Sequence, residues 1–245
     1  MDNETLMRTW CRMWNEDPAL AHQVMTGHCT QWSAQTPGLD AVIGPDQQET
    51  FVAGYRAQHI NLFHPRVLVD AGDRFAYLWD VTLPNGTVWT GADVNTVRDG
   101  RIDENWTFVC QRRDDSPDLD DADAQPTTVT ALDRLCQEWT SLWNGDVHAV
   151  ADDVRVFIGA GDQTAELRGR AALTGHLEAE RAVQSSTTRV IHRQPVLDPV
   201  RGRAAILWTS STDGGGRSSG VDLLTVHHGR VACASSLTGT RQFRY

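Results

Sequence analysis

Two stretches of the sequence, GADVNTVRDGRI at residues 91–102 and GVDLLTVHHGRV at residues 220–231, are versions of one motif. They share two glycines, the Asp, a Thr-Val pair and the Arg, at an offset of 129 residues. The same offset relates RFAYLWDVT (74–82) to RAAILWTSS (203–211), and TWCRMWNED (9–17) to EWTSLWNGD (138–146). Because one offset holds in three separated blocks, the sequence indicates a tandem duplication.

The segment between the two copies, RRDDSPDLDDADAQPTTVT at residues 112–130, contains six Asp, two Pro and almost no apolar residue. A segment of this composition cannot bury enough apolar surface to fold, so it is interpreted as a solvated linker. The sequence therefore predicts a domain over residues 1–112, an Asp-rich linker over 113–127 and a second domain over 128–245. Limited proteolysis should cut first between Arg113 and Thr128.

Each copy has the same predicted order of elements. A helix comes first, because apolar residues recur at helical spacing. Asp17 and Asp146 are placed to cap a short second helix, and a further helix follows Gly44 and Gly169. Residues 67–109 then contain four segments rich in β-branched and aromatic residues, separated by the turns AGD, PNG and RDG. Helices followed by an antiparallel meander are typical of an α+β fold.

Composition and charge narrow the function classes. The hydrophobic fraction of 40% and the charged fraction of 22% are those of an ordinary globular protein. A net charge of −10 argues against binding to nucleic acid or to an anionic membrane. We expect a cytoplasmic protein, because neither a long apolar run nor a signal peptide is recognisable. Five scattered cysteines without a CxxC pair favour reduced, buried thiols.

The basic residues are all Arg, and the sequence contains no Lys. Together with abundant Ala, Gly and Asp, this bias indicates GC-rich coding, as in actinobacteria. The absence of Lys excludes Schiff-base catalysis and a Lys-anchored pyridoxal phosphate, since no ε-amine is available. No HExxH motif or similar His spacing occurs, so we expect no metal site, and we expect no cofactor.

The ordered motifs resemble those of the nuclear transport factor 2-like superfamily, in particular SnoaL-like polyketide cyclases and ketosteroid isomerases. They are a helix ending in WN-x-D, a Gly-led helix that ends before HP, and G-x-D-x-x-x-V-x-x-G-R-I. The resemblance implies two cone-shaped, curved antiparallel sheets, each wrapped around N-terminal helices, with a pocket at the open end. Members commonly pair sheet to sheet, which implies an internal pseudo-dimer, and the chain itself could be monomeric or homodimeric.

Asp93 and Asp222 are the first candidates for catalysis, because each lies mid-strand among apolar residues, where Asp is disfavoured. The resemblance implies a pocket acid at this position, which an apolar site keeps protonated so that it can donate a hydrogen bond. If ionised, Asp93 could instead be a general base. The alternative is a structural Asp bonded to a neighbouring Arg or to backbone. His28, beside the first strand, is a third candidate as a pocket base.

Three departures from the resembling enzymes indicate that their proton-transfer residues are absent or rebuilt. Trp10 and Trp139 stand where the isomerases have a phenolic donor, and an indole N–H cannot exchange a proton in its place. The isomerases' general-base Asp is missing from the first strand. Thr107 stands where SnoaL-like cyclases place a catalytic Asp.

Aromatic residues are concentrated in the first copy. Trp32, Trp89 and Trp106 have no counterpart in the second copy, so the first copy is predicted to hold the active pocket and the second to be more structural. Large planar walls suit a flat or cationic ligand. The candidate ligand-binding residues are Trp10, Trp32, Tyr55, Trp79, Trp89, Asn95, Trp106 and Thr107.

Three functions remain open from the sequence. The leading hypothesis is a cofactor-independent enzyme of bacterial secondary metabolism, of the cyclase, isomerase, dehydratase or epoxide-hydrolase type, acting on an apolar or aromatic intermediate. The second is a non-catalytic or protective small-molecule binding protein that uses the same pocket. The third is a dimerisation scaffold whose sheets only mediate pairing.

Overall fold

The first half of the chain folds in the predicted order in the computed structural model, which describes residues 1–35, 39–112, 124–144, 150–183, 187–212 and 215–242. Helices and 3-10 turns alternate with a first strand before the meander begins. The elements are α1 (Asn3–Asn15), a 3-10 turn (Pro18–Leu20), α2 (Ala21–Val24), β1 (Met25–Ser33), a 3-10 turn (Leu39–Ala41), α3 (Gly44–Gln58), β2 (Leu62–Asp70), β3 (Arg74–Thr82), β4 (Val88–Arg98) and β5 (Arg101–Gln111).

The second half repeats the order of α1, α3 and the five strands, with one additional strand and with the counterpart of β2 divided in two. Its described residues contain no counterpart of α2 or of the 3-10 turns. Its elements are α4 (Val129–Asn144), β6 (Val150–Ala160), β7 (Gln163–Arg168), α5 (Arg170–Val183), β8 (Thr187–Ile191), β9 (Val196–Asp198), β10 (Arg203–Thr212), β11 (Arg217–His227) and β12 (Arg230–Gly239).

The strand register repeats as the sequence does. The first sheet has the order β1-β5-β4-β3-β2, and the second has β7-β6-β12-β11-β10, with β8 and β9 both paired to β10. Asp93 lies opposite Tyr77 on β3 and Thr107 on β5. Asp222 lies opposite the residues 129 positions further on, Ile206 and Ser236. The duplication is therefore a duplication of pairing register as well as of sequence.

The predicted α+β fold with two curved sheets is confirmed, but each sheet is mixed and not antiparallel throughout. β1 runs parallel to β5, and β6 runs parallel to β12. The strands of the meander are joined by tight turns, which force antiparallel pairing. β1 and β6 are instead separated from the meander by helices α3 and α5, so no hairpin sets their direction. Shifts of register in β1, β2 and β4 interrupt regular pairing, and such irregularities bend a sheet.

Three apolar clusters form the core. One packs α1 and α2 against the first sheet, and another packs α4 and α5 against the second. The third lies between the two sheets and contains residues from equivalent positions of both. The halves therefore pack face to face as an internal pseudo-dimer, and each contributes the same surface to the interface. The matched pairs are Ala76 and Ala205, Leu78 and Leu207, Ala92 and Val221, Val94 and Leu223, and Phe108 and Leu237.

The predicted caps and linker fall partly within the described residues. Asp17 accepts a hydrogen bond from the backbone N–H of Ala19 at 3.0 Å and so begins the 3-10 turn as expected, whereas Asp146 lies outside the described residues. Residues 113–123 of the linker also lie outside them. The end of the predicted linker is bonded to the second half, because the N–H of Gln125 donates to the carbonyl of Val226.

Two further features bear on the expected environment of the protein. No helix within the described ranges is long and apolar enough to cross a bilayer. All five cysteines are buried and carry free thiols.

Candidate functional site

A cavity of about 240 Å³ opens in the first half, between the helices and one face of the first sheet. Its walls are mainly aromatic and aliphatic, with few polar groups. The lining residues are Trp10, Cys11, Trp14, Gln31, Ser33, Leu39, Phe51, Tyr55, Asn61, Phe63, Tyr77, Trp79, Val81, Leu83, Trp89, Asp93, Thr107 and Val109. A pocket of this composition suits a small, largely apolar ligand.

Of the candidate ligand-binding residues, five line this cavity: Trp10, Tyr55, Trp79, Trp89 and Thr107. Trp32 and Trp106, which were expected at the same pocket, do not line this cavity. Successive side chains of a strand point to opposite faces, and the neighbours of these two residues, such as Ser33 and Thr107, face the cavity. Trp32 and Trp106 therefore point the other way, into the core between the two sheets.

Asn95 also does not line this cavity. It shares the strand face of Asp93 but lies two residues further along β4, where it is fully buried and its Oδ1 accepts a hydrogen bond from Asn105 at 2.8 Å. Backbone or side-chain atoms of Asn95 and Trp106 instead border another cavity at the boundary between the halves, near Arg193 and Leu207.

Asp93 is the buried carboxyl group of the cavity, with 2% of its surface exposed. The Tyr77 hydroxyl donates to its Oδ2 at 2.8 Å, and the indole N–H of Trp79 donates to its Oδ1 at 2.9 Å. Thr107 and Asn105 on β5 are neutral neighbours that also act to lower its pKa. Burial raises the pKa of Asp93 more than these donors lower it. The group therefore holds a proton at a higher pH than an ordinary Asp.

Gly91 explains how the Trp79 indole reaches Asp93. The two residues lie opposite each other in the register of β3 and β4, and a Cβ atom at Gly91 would stand 2.1 Å from the Trp79 ring. Gly220 stands in the same relation to Trp208. The Gly two residues before the Asp is thus required for close approach of an aromatic ring. The sequence motif contains this Gly, but the sequence alone does not explain why it is needed.

Tyr77 and Cys11 complete the surroundings of Asp93. Burial is the main cause that raises the pKa of Tyr77 well above its usual value, and the nearby Asp93 adds to it. Burial and Asp93 together raise the pKa of the Cys11 thiol to about 12. Both groups therefore remain protonated near neutral pH, and Cys11 is not a thiolate nucleophile.

Sequence reasoning missed Tyr77. The signal for it was a phenol in strand β3 whose counterpart, Ile206, is apolar.

A second polar pair lies in the cavity wall. The Nδ2 of Asn61 donates to the Tyr55 hydroxyl at 2.6 Å, and the Tyr55 ring packs edge-on against Trp14 with centroids 5.4 Å apart. Burial raises the pKa of Tyr55 as well. This pair offers a ligand a hydroxyl group that stays neutral.

His28 does not face the cavity, contrary to the hypothesis that it is a pocket base. Its side chain is 63% exposed, and its Nε2 lies 2.8 Å from Asp103. Arg98 approaches the same carboxylate at 2.9 Å. β1 has a register irregularity between Met25 and Thr30, so strict alternation from Gln31 back to His28 does not apply.

Asp222 is as buried as Asp93 but has different partners. Trp139 and Trp208 donate to its two oxygens at 2.8 and 2.9 Å. The guanidinium group of Arg189 approaches it at 3.6 Å. The Arg189 guanidinium carbon also lies 3.4 Å from the ring centroid of Trp143 and 3.7 Å from that of Trp208.

Arg189 was missed by sequence comparison. It is displaced by three residues from the common offset of 129, so an alignment at that offset does not pair it with its counterpart.

The described residues contain no cluster of side chains that could bind a metal ion. Within the described ranges, no three His, Cys, Asp or Glu side chains are grouped so that they could hold a metal ion.

Comparison with known proteins gives structural similarity only. No family model and no curated protein matches the chain. A candidate isomerase of the SnoaL-like family from Agrobacterium tumefaciens is 21% identical and covers 43% of this chain and 95% of its own, with a TM-score of 0.39. A candidate polyketide cyclase from Bacillus cereus is 17% identical and covers 42% of this chain and 71% of its own, with a TM-score of 0.37.

An NTF2-like protein of unknown function from Mesorhizobium loti is 18% identical and covers 46% of this chain and 96% of its own, with a TM-score of 0.38. Each of these proteins thus aligns with less than half of this chain and with most of its own length. The chain is similar to SnoaL-like and NTF2-like structures, the fold that its repeated motifs resemble.

Proposed function

We propose that the first half binds a small apolar or aromatic molecule in its cavity and that Asp93 transfers a proton to or from that molecule. Cyclisation, isomerisation, dehydration and epoxide opening all begin with such a step, and each can be carried by acid–base groups of the chain itself. The observation that supports this function is the position of Asp93, a buried carboxyl group at the wall of an apolar cavity.

The surroundings of Asp93 suit reversible proton transfer. The Tyr77 hydroxyl and the Trp79 indole fix both carboxyl oxygens in place, which pre-orients the group for reaction. The raised pKa of Asp93 brings its basicity closer to neutral pH, and general-base efficiency is greatest when the two are close. In its ionised form Asp93 would remove a proton from the ligand, and in its protonated form it would return one.

Non-catalytic binding in the same cavity is the second candidate function. It is favoured by the scarcity of other groups that could relay a proton, because Cys11 and Tyr77 are both held protonated. A binding protein would use Asp93 for recognition only. The two functions differ in whether the variant Asp93→Asn loses turnover or only affinity.

Proton exchange at an aromatic ketone tests the proposal. 2-Tetralone in D₂O exchanges the protons next to its carbonyl when a base removes them, and ¹H NMR measures the rate. We expect the wild-type protein to accelerate exchange and Asp93→Asn to lower that acceleration by about 100-fold, the scale of one general base.

Asp222→Asn is the matched control, because this residue lies outside the cavity, and its exchange rate should stay close to that of the wild type. Equal rates for the wild type and Asp93→Asn would contradict proton transfer by Asp93. Binding of 2-tetralone without any acceleration would favour the binding function.

A further inference from the structure

Arg189 of the second half and Phe63 of the first half occupy equivalent positions. Phe63 pairs with Val81 on β3, and Arg189 pairs with Ser210 on β10, 129 residues beyond Val81. The backbone of each is held by the Asn that ends the first helix of its half. Asn15 bonds the carbonyl and N–H of Phe63 at 2.7 and 2.8 Å. Asn144 bonds those of Arg189 at 3.3 and 3.0 Å.

The side chain of Arg189 places a cation among the second-half counterparts of Trp14, Trp79 and Asp93. Its guanidinium group lies against the indoles of Trp143 and Trp208 and beside the carboxyl group of Asp222. The Arg189 side chain is 8% exposed and that of Asp222 is 2% exposed. Burial lowers the pKa of Arg189 to about 10, so it remains charged near neutral pH. Aromatic faces and a carboxylate are the surroundings that stabilise a buried cation.

The first half keeps the same walls but supplies no cation from this position. Trp14, Trp79 and Asp93 are the counterparts of Trp143, Trp208 and Asp222. The centroid of the Phe63 ring lies 5.7 Å from that of Trp14 and 5.3 Å from that of Trp79. Unlike Arg189, the Phe63 side chain carries no charged group. The space that a guanidinium head fills in the second half is therefore left to the cavity beside Asp93.

We propose that the cavity of the first half binds a ligand with a cationic nitrogen, such as an amidinium, guanidinium or ammonium group on a small apolar or aromatic body. The cation lies beside Asp93, with the indoles of Trp14 and Trp79 as walls, as the guanidinium group of Arg189 lies in the second half. This inference names the ligand class of the proposed site, and it rests on the proposed function for the use of that cavity.

The charges around Asp93 agree with this assignment. The groups that bond to it, both from β3, are the neutral donors Tyr77 and Trp79. Thr107 and Asn105, which face it from β5, are neutral as well. From α1, the Cys11 thiol approaches Tyr77 and is neutral. A buried carboxyl group without a cationic partner has a raised pKa, and a bound cation would lower it again. Ligand binding would therefore be coupled to loss of the Asp93 proton.

Titration calorimetry with benzamidine and benzamide tests the charge preference. The two molecules have nearly the same shape, and only benzamidine is cationic at pH 7.5. We expect one benzamidine per wild-type chain, bound at least about 10-fold more tightly than benzamide. Asp93→Asn should abolish this preference, because it should weaken the binding of benzamidine at least about 10-fold and the binding of benzamide less.

Phe63→Arg provides a second variant. It places an Arg side chain in the first half at the position that Arg189 occupies in the second half. Its guanidinium group should fill the cavity beside Asp93, so benzamidine binding should be lost while the melting temperature rises or is unchanged. A matched Val200→Arg variant, which adds the same charge at a position that is 76% exposed and outside the cavity lining, should keep the preference for benzamidine.

Benzamide binding that equals or exceeds benzamidine binding in the wild type would overturn the assignment, as would undetectable binding of benzamidine. The same holds if Phe63→Arg binds benzamidine as the wild type does. These failures are distinct from failure of the proposed function. A site that prefers benzamide but loses 2-tetralone exchange in Asp93→Asn would still be an acid–base site, one for neutral ligands.

Discussion

Asp93 shows how one residue acquires its chemistry from its burial. The donors Tyr77 and Trp79 favour the ionised carboxyl group, and burial opposes it more strongly. In the second half the same residue type, Asp222, meets a cation instead of a phenol. Two copies of one motif therefore carry carboxyl groups with different partners, and the carboxyl group of the first copy borders a cavity.

Asp93 should make the stability of the protein depend on pH. Its pKa in the folded state is raised above the unfolded value of about 3.9. The folded state therefore binds the proton more tightly, and this contribution is fully present below the unfolded pKa and is lost as pH rises through the folded pKa. Each unit of the difference is worth about 1.4 kcal/mol.

We therefore expect Asp93→Asn, which cannot ionise, to gain melting temperature relative to the wild type between pH 4 and pH 8. Thermal unfolding at several pH values measures this. A constant difference between the two proteins across that range would mean that the Asp93 pKa is not raised in the folded state.

At the scale of the element, the alternation of side chains along each strand and the close contact of Trp79 with Gly91 determine which side chains face the cavity. β3, β4 and β5 present Tyr77, Asp93 and Thr107 to one face in a single row of the register. The opposite face of the same strands carries Leu78, Val94 and Trp106 into the core between the sheets. One sheet thus forms a cavity-facing surface and a packing surface at the same time.

Gly91→Ala should disrupt the cavity-facing surface of β4. The new methyl group would overlap the Trp79 ring, so the indole must move and its hydrogen bond to Asp93 is lost. Overpacking and loss of a bond to a buried group together predict a cost of about 3 kcal/mol, measured by urea unfolding.

Gly54→Ala in α3 is the matched control. A Cβ atom there meets nothing within 4 Å, and Ala is favoured over Gly in a helix by roughly 0.5–1 kcal/mol. If Gly91→Ala and Gly54→Ala change the free energy of unfolding by similar amounts, the Trp79 ring does not depend on the absence of a Cβ atom at Gly91.

At the scale of the whole molecule, the two halves depend on one shared core. Equivalent residues of both sheets meet there, and polar links cross the boundary as well. The N–H of Asp70 donates to Asp198 at 3.0 Å, and Arg241 forms an ion pair with Asp40 at 3.0 Å. The second half thereby covers the outer face of the sheet that carries Asp93, which leaves the other face of that sheet to the helices and the cavity.

Val94→Asp should destabilise the protein through this shared core. Val94 is buried between the sheets, and an unpaired carboxylate there is expected to cost about 3 kcal/mol or more. Leu223→Asp, at the equivalent position of the second half, should cost a similar amount. Val190→Asp is the control, because Val190 is 52% exposed. Chemical denaturation that gives the same midpoint for Val94→Asp and Val190→Asp would contradict a tight interface.

Local pattern was enough to determine the duplication, the order of helices and strands, and the candidate Asp93. Helical spacing, strand composition and turn residues are properties of short segments, so they are visible in the sequence. Five of the eight candidate ligand-binding residues line the cavity, and residue type and position in the first copy were enough to name them.

Only the tertiary structure decided the direction of β1, the face to which Trp32 and Trp106 point, and the role of Arg189. β1 pairs with a strand about 75 residues later in the chain, and nothing local sets its direction. Alternation tells that Trp106 and Thr107 face opposite ways, but which face holds the cavity depends on where the helices and the other half pack. Arg189 reaches Asp222 from a strand whose offset differs from that of the motif, so its pairing with a buried carboxyl group exists only in three dimensions.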